Sequence, residues 1–142
     1  MSHQLIAHVF VQISGKYLVL KRSKIKRGKR NMFPEWWDIP GGRVEVSEFP
    51  QTAAVREVKE ETNLSVKLGN IIYEESEFDV EKQLVFTRLV YASEEVKPEL
   101  FEVILDPEEH SEYRLISSID EMPEGEKLVP YVEELFRKID VF

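Results

Sequence analysis

Residues 4–13 (QLIAHVFVQI) are apolar and β-branched on both faces, the pattern of a strand buried on two sides. Ser14, Gly15 and Lys16 turn the chain, and residues 17–22 (YLVLKR) return as the expected hairpin partner. A basic stretch over 23–35 reads as a loop ending at Pro34. Residues 36–39 predict a short strand stopped by Pro40-Gly41-Gly42, and 43–47 are expected to be extended. Further strands are predicted near 64–79, 83–93 and 99–105, the last from Phe101, Val103 and Leu105 alternating with polar neighbours. A short strand is expected at 113–116. Leu128, Tyr131, Val132, Leu135 and Ile139 then recur at helical spacing and predict an amphipathic helix packed on the sheet.

Between these strands the spacing predicts a helix over 50–62. Pro50 suits the first helical position, where a missing N–H leaves nothing unsatisfied. It also biases Phe49 to extended geometry, which makes Phe49 the N-cap. Asn63 ends the helix, because Asn tolerates the left-handed geometry that follows a C-cap. Val55, Val58 and Thr62 fall on one face, a packing face. Ala53, Glu57, Glu60 and Glu61 fall nearly opposite, with the small Ala53 leaving room for ions and ligand oxygens.

That second face carries the chemistry. Carboxylates at the spacing i, i+3, i+4 lie roughly 5–6 Å apart and repel one another. A shared divalent cation reverses the sign, since hard cations such as Mg²⁺ take carboxylate oxygens and bridge them to substrate phosphates.

The chain has 142 residues, which predicts one domain over 1–142. It is 42% hydrophobic and 11% aromatic, enough for a core. There is no cysteine, so disulfides and thiolate metal sites are excluded. The N-terminus shows no signal-peptide pattern and no apolar run reaches the ~18 residues of a membrane span. A cytoplasmic location is therefore expected. His3, His8 and His110 are too scattered to predict a zinc site. The net charge is −8, yet residues 21–30 (KRSKIKRGKR) hold seven basic residues and no acid. The rest of the chain carries 12 basic against 27 acidic residues, which argues against general nucleic-acid binding. A basic patch beside an acidic site suits a small polyphosphate, and a solvated loop is the competing reading.

Gly42, Glu48, Arg56, Glu57, Val58, Glu60, Glu61, Asn63 and Leu64 stand in one register. This resembles the Nudix box, G-x5-E-x7-R-E-U-x-E-E-x-G-U with U aliphatic, and departs from it only where Asn63 replaces the last glycine. The run 37–42 (WDIPGG) looks like the strand and turn that lead into the family's box. The segment 109–114 (EHSEYR) resembles a late family segment that brings an extra acid to the active site. The resemblance implies an α/β (α+β) fold, an α/β/α sandwich with a mixed sheet between helices. It implies metal-dependent hydrolysis of a nucleoside diphosphate linked to another group, with Mg²⁺ or Mn²⁺ as cofactor. A (d)NTP or oxidised (d)NTP is the expected substrate. The alternatives are ADP-ribose, a nucleotide sugar, a dinucleoside polyphosphate or an RNA 5′-triphosphate end. A non-catalytic nucleotide sensor on the same fold is the reading from another class, and the intact box acids argue against it.

By role, Glu57, Glu60 and Glu61 map onto the metal-binding positions. One of them, or a late acid, is the general base, with Glu109 preferred over Glu112. Arg56 maps onto the arginine that orients a box glutamate. Glu48 maps onto the acid that ties loop to helix. The Gly41-Gly42 turn lets backbone approach substrate and metal, and Arg22 is the basic residue best placed for phosphates. Phe33, Trp36, Trp37, Tyr73 and Phe78 are the aromatic candidates for stacking on a base, with core packing as the competing assignment. Homodimers are common in the family.

Overall fold

The computed structural model describes residues 2–97 and 102–139. Its apolar N-terminal run divides at Val11. The first part is β1 (Ser2–Phe10), which pairs antiparallel with β7 (Gly41–Arg43) and parallel with β9 (Leu84–Ser93). β8 (Leu68–Asp79) completes this four-stranded mixed sheet at the outer edge of β9. Only β2 (Gln12–Ile13) makes the hairpin with β3 (Lys16–Arg22). The expected pairing of 17–22 with the whole of 4–13 is thus corrected, because both edges of β1 are already taken by β7 and β9.

β3 builds a second sheet with β10 (His110–Ile116) and β2, and β6 (Trp37–Asp38) pairs with its far end. The basic stretch is not a plain loop. β4 (Ile25–Lys26) and β5 (Lys29–Arg30) form a ribbon, turned by Arg27 and Gly28 at φ 52° and 77°. Positive φ at both central residues marks the two-residue hairpin turn that matches strand twist.

Alternation along the strands divides the core in two. Ala7, Val9, Leu18 and Leu20 pack with Ala53, Ala54 and Val58 of α1 (Pro50–Thr62). Phe10 and Val19 pack on the other side with Tyr131, Val132, Leu135 and Phe136 of α2 (Pro130–Ile139). One helix covers each side of the strands, the α/β/α arrangement expected. No helix among the described residues is long and apolar enough to cross a membrane.

The ends of α1 follow local chemistry. Phe49 is extended (φ −76°, ψ 146°) and offers no side-chain cap, while Asn63 is left-handed (φ 68°) with its N–H on the Lys59 carbonyl. The face assignment needs correction, since Ala53 is fully buried in the core and Val55 only half-buried. Residues 64–67 and 44–47 are not strand, and neither are 102–105; residues 99–101 of that expected strand, including Phe101, lie outside the described residues. The Ile104 N–H goes to the Thr62 carbonyl at the end of α1, not to a ladder, and Val103 and Leu105 pack on the α1 side.

Candidate active site

Arg56 organises the box. Its Nε and Nη2 grip Glu48 as a fork at 2.8 and 3.0 Å, and Nη2 also donates to the Arg43 carbonyl at 3.2 Å. Nη1 reaches Glu57 at 3.0 Å and Glu60 at 3.2 Å. The loop into α1 is therefore stitched to the helix by one guanidinium. The Arg56 hydrogen bonds and the Glu45 N–H hold the Glu48 carboxyl down at about 2. A depressed pKa means that the stabilisation is complete above the ordinary value of 4.5 and lost as pH falls toward about 2. Glu48→Gln is accordingly expected to lower the urea midpoint by an amount that stays constant above that value and shrinks below it. A pH series of urea melts checks this, and a gap independent of pH would refute it.

The three box acids separate. Glu57 lies against Gly42, where an added Cβ would stand 2.6 Å from its carboxyl carbon. Glu60 turns outward to Arg56 with its side chain 57% exposed. Glu61 is buried at 5% exposure and lines a cavity of about 400 Å³. Burial first, and the neighbouring Glu57 second, push the Glu61 carboxyl well above the ordinary range. His110, also buried, lines the same cavity, and burial takes it down to about 4. Its Nδ1 has no hydrogen-bond partner and stands 3.7 Å from Glu61 Oε1. Glu109 borders the cavity too, ion-paired with Lys26 of the β4–β5 ribbon at 2.9 Å.

The other expected residues divide as well. Gly41 and Gly42 line the cavity; a Cβ on Gly41 would run into the His8 ring and the Ala7 carbonyl. Arg22 lines it, but its guanidinium already donates to Asp38, Asn31 and the Met32 carbonyl at 2.9, 2.9 and 2.7 Å. Its visible work is to pin the basic segment to β6. Trp37 belongs to the packing: it is 1% exposed in the α2-side core and does not border the cavity. Tyr73 is likewise buried, and Phe33 packs on Trp36. Phe78 is exposed but does not border the cavity.

Sequence reasoning missed Asp38, whose carboxylate accepts from Arg22 and from the Tyr131 hydroxyl. It also missed Phe86 and Arg88, which rise from β9 into the cavity. The period-two pattern of 83–93 puts Phe86, Arg88 and Val90 on one face, a signal that was there to read.

The residues present fit a hard divalent cation. Glu57 and Glu61 crowd like charges beside a glycine that leaves them space, and the orphaned His110 Nδ1 marks an unsatisfied polar position next to Glu61. Among the described residues no three acidic or histidine side chains are already gathered around one point. That suits an ion held by one or two carboxylates together with water and substrate phosphates.

The NUDIX domain model matches residues 1–138. A Listeria innocua protein described as an uncharacterized Nudix hydrolase is 28% identical over 131 residues, 89% of this chain and 72% of its own. The "Putative 8-oxo-dGTP diphosphatase" of Bacillus subtilis (strain 168) is 46% identical over 54 residues, 35% of each chain. This chain spans about a third of the length of the first curated relatives it matches. Among solved structures, the MutT protein of Methanosarcina mazei Go1 is 26% identical with a TM-score of 0.77, covering 99% of this chain and 94% of that one. With the box residues assembled on α1 and the domain model matched over nearly the whole length, this chain belongs to the Nudix hydrolase family.

Proposed function

We propose that this protein hydrolyses a diphosphate bond in a small nucleotide, such as a (d)NTP or oxidised (d)NTP, with Mg²⁺ or Mn²⁺ as cofactor. The observation that carries this reading is Glu61, a buried carboxyl beside Glu57 in the wall of a cavity of about 400 Å³. The likeness to the Bacillus protein supports a nucleotide.

Glu57 and Glu61 are the residues that would hold the cation; Glu109 borders the same cavity, and Glu60 stands turned outward on Arg56. When bound, the cation neutralises phosphate oxygens and makes water acidic enough to attack at neutral pH. The chain's own groups do the rest. Arg56 fixes Glu57, and one of the box glutamates or Glu109 would accept the proton of water as the new P–O bond forms and the P–O bond to the leaving phosphate or nucleotide breaks. Gly42, having no Cβ, leaves room for the Glu57 carboxylate against the backbone. Arg43 and Lys26, both bordering the cavity, supply positive charge for the phosphates.

A panel of (d)NTPs, oxidised (d)NTPs, ADP-ribose, nucleotide sugars, dinucleoside polyphosphates and 5′-triphosphate RNA, with each metal and with product identification, tests this. Hydrolysis of a (d)NTP or oxidised (d)NTP that ceases on chelation is expected. Saturable nucleotide binding without turnover under any metal would overturn it in favour of a sensor.

A further inference from the structure

The cavity has two unlike ends. The end at Gly41, Gly42, Glu61 and Glu109 is absorbed by the hydrolysis just described. The other is floored by the β8–β9 hairpin, where Glu77 and Phe86 stand directly opposite each other. Residues opposed across antiparallel strands point to the same face.

The acids of this second end are not equivalent. Glu75 holds Arg88 at 2.7 Å and accepts from the Tyr73 hydroxyl at 3.0 Å. Asp79 accepts the Lys82 backbone N–H at 3.0 Å inside the hairpin turn. Glu77 has no hydrogen-bond or ion-pair partner among the described residues, and it is exposed. The cations there are committed too: Arg88 lies over the Tyr131 ring at 4.1 Å, and Lys82 over Phe86 at 5.7 Å. What remains is one free carboxylate beside a half-buried aromatic ring. The register places this pair well away from the glycine turn. His8 pairs with Gly41 on one side and Val90 on the other, and Phe86 lies ~13 Å further along β9 at the rise of a strand. A nucleoside carrying its phosphates spans such a gap.

We infer that Glu77 and Phe86 select guanine as the base of the nucleotide, an assignment that rests on the hydrolase reading above. The ring offers a stacking face, which by itself accepts any base. An ionised carboxylate is acceptor-only and presents two oxygens side by side. Guanine matches it with N1–H and the exocyclic amino group in adjacent positions. Hypoxanthine keeps N1–H but lacks the amino group, and adenine sets an amino group beside an acceptor nitrogen. Oxidation at C8 leaves both guanine donors in place, so oxidised and ordinary guanine are read alike at this edge.

The test compares kcat/KM for GTP, dGTP, ITP and ATP in the wild type, Glu77→Gln and Glu77→Ala. Calorimetric binding of GMP and IMP, which contain no diphosphate bond, runs alongside. The expected result is a preference of about tenfold or more for GTP and dGTP over ITP, falling toward unity in both variants. Equal use of GTP and ITP by the wild type, or a preference that survives both variants, would overturn the inference. So would a GTP-over-dGTP preference that disappears with Glu77, since that assigns the carboxylate to the ribose hydroxyls. Calorimetry keeps the two readings apart. If no nucleotide is hydrolysed yet GMP outbinds IMP through Glu77, the hydrolase reading falls and the base assignment stands. If nucleotides are hydrolysed with no guanine preference tied to Glu77, the base assignment alone falls.

Discussion

Glu61→Gln is expected to lower kcat by more than about 10²-fold while leaving the metal-free protein no less stable. Groups that merely support metal ligands already account for 10–100-fold in metal affinity or activity when removed, so a residue that would hold the ion should exceed that. Stability should go the other way. Burial and the Glu57 carboxylate both disfavour charge on Glu61, and glutamine keeps the shape without the charge. A thermal melt with and without Mg²⁺ adds a readout independent of turnover. The wild type should melt higher with the ion, as any ligand of the folded state requires, and the variant should show little shift. Activity within a few-fold of wild type, or a metal-free variant melting well below it, would refute the role given to Glu61.

The two adjacent glycines are expected to fail in different ways when changed to alanine. A Cβ on Gly42 meets the Glu57 carboxylate, with its carboxyl carbon 2.6 Å away. That is the mobile end of a side chain, so the fold should survive while the carboxylate moves. Displacement of a reacting group by about 1 Å can cost 10²-fold, and Gly42→Ala should lose about that much in kcat at a nearly unchanged melting temperature. A Cβ on Gly41 instead meets the Ala7 carbonyl at 2.5 Å and the buried His8 ring. Backbone and core cannot yield as a side chain does, so Gly41→Ala should cost about 1–3 kcal/mol in stability, as overpacking commonly does. Urea melts and steady-state kinetics on the pair settle it. The reverse pattern, with Gly42→Ala unstable and Gly41→Ala merely slow, would contradict the packing described.

What could be read from residues alone was whatever local chemistry decides. Pro50 and Asn63 bound α1 at the expected positions, because a proline start and a left-handed stop depend on neighbours in sequence. The crowding of the box acids on one helix was legible from spacing for the same reason, whereas the part of Arg56 came from the resemblance to the Nudix box. The division of labour among those acids was not legible. Glu60 and Glu61 are adjacent in sequence, and only the packing of α1 on β1 and β7 turns one outward and buries the other. Trp37 illustrates the limit at a strand. It precedes the glycine turn and looked like a ligand platform, but neighbours on a strand face opposite ways. Asp38 took the cavity and Trp37 the core. The hairpin expected between 4–13 and 17–22 forms only at Gln12–Ile13, for a different reason. Neighbouring strands in sequence often pair, yet here β1 pairs with β9 from the far half of the chain, and no short-range signal announces that choice.

That parallel pairing makes the sheet around β1 wait for a segment from the far half of the chain. α1 with its box acids is synthesised before Leu84–Ser93. Until that segment arrives, β1 has a partner on only one edge, and the floor that carries Phe86 and Arg88 has not formed. Pairing between distant segments is slow because loop-closure entropy must be overcome first. A nascent chain halted after α1 would therefore expose its carboxylate helix without the cavity that gives it use.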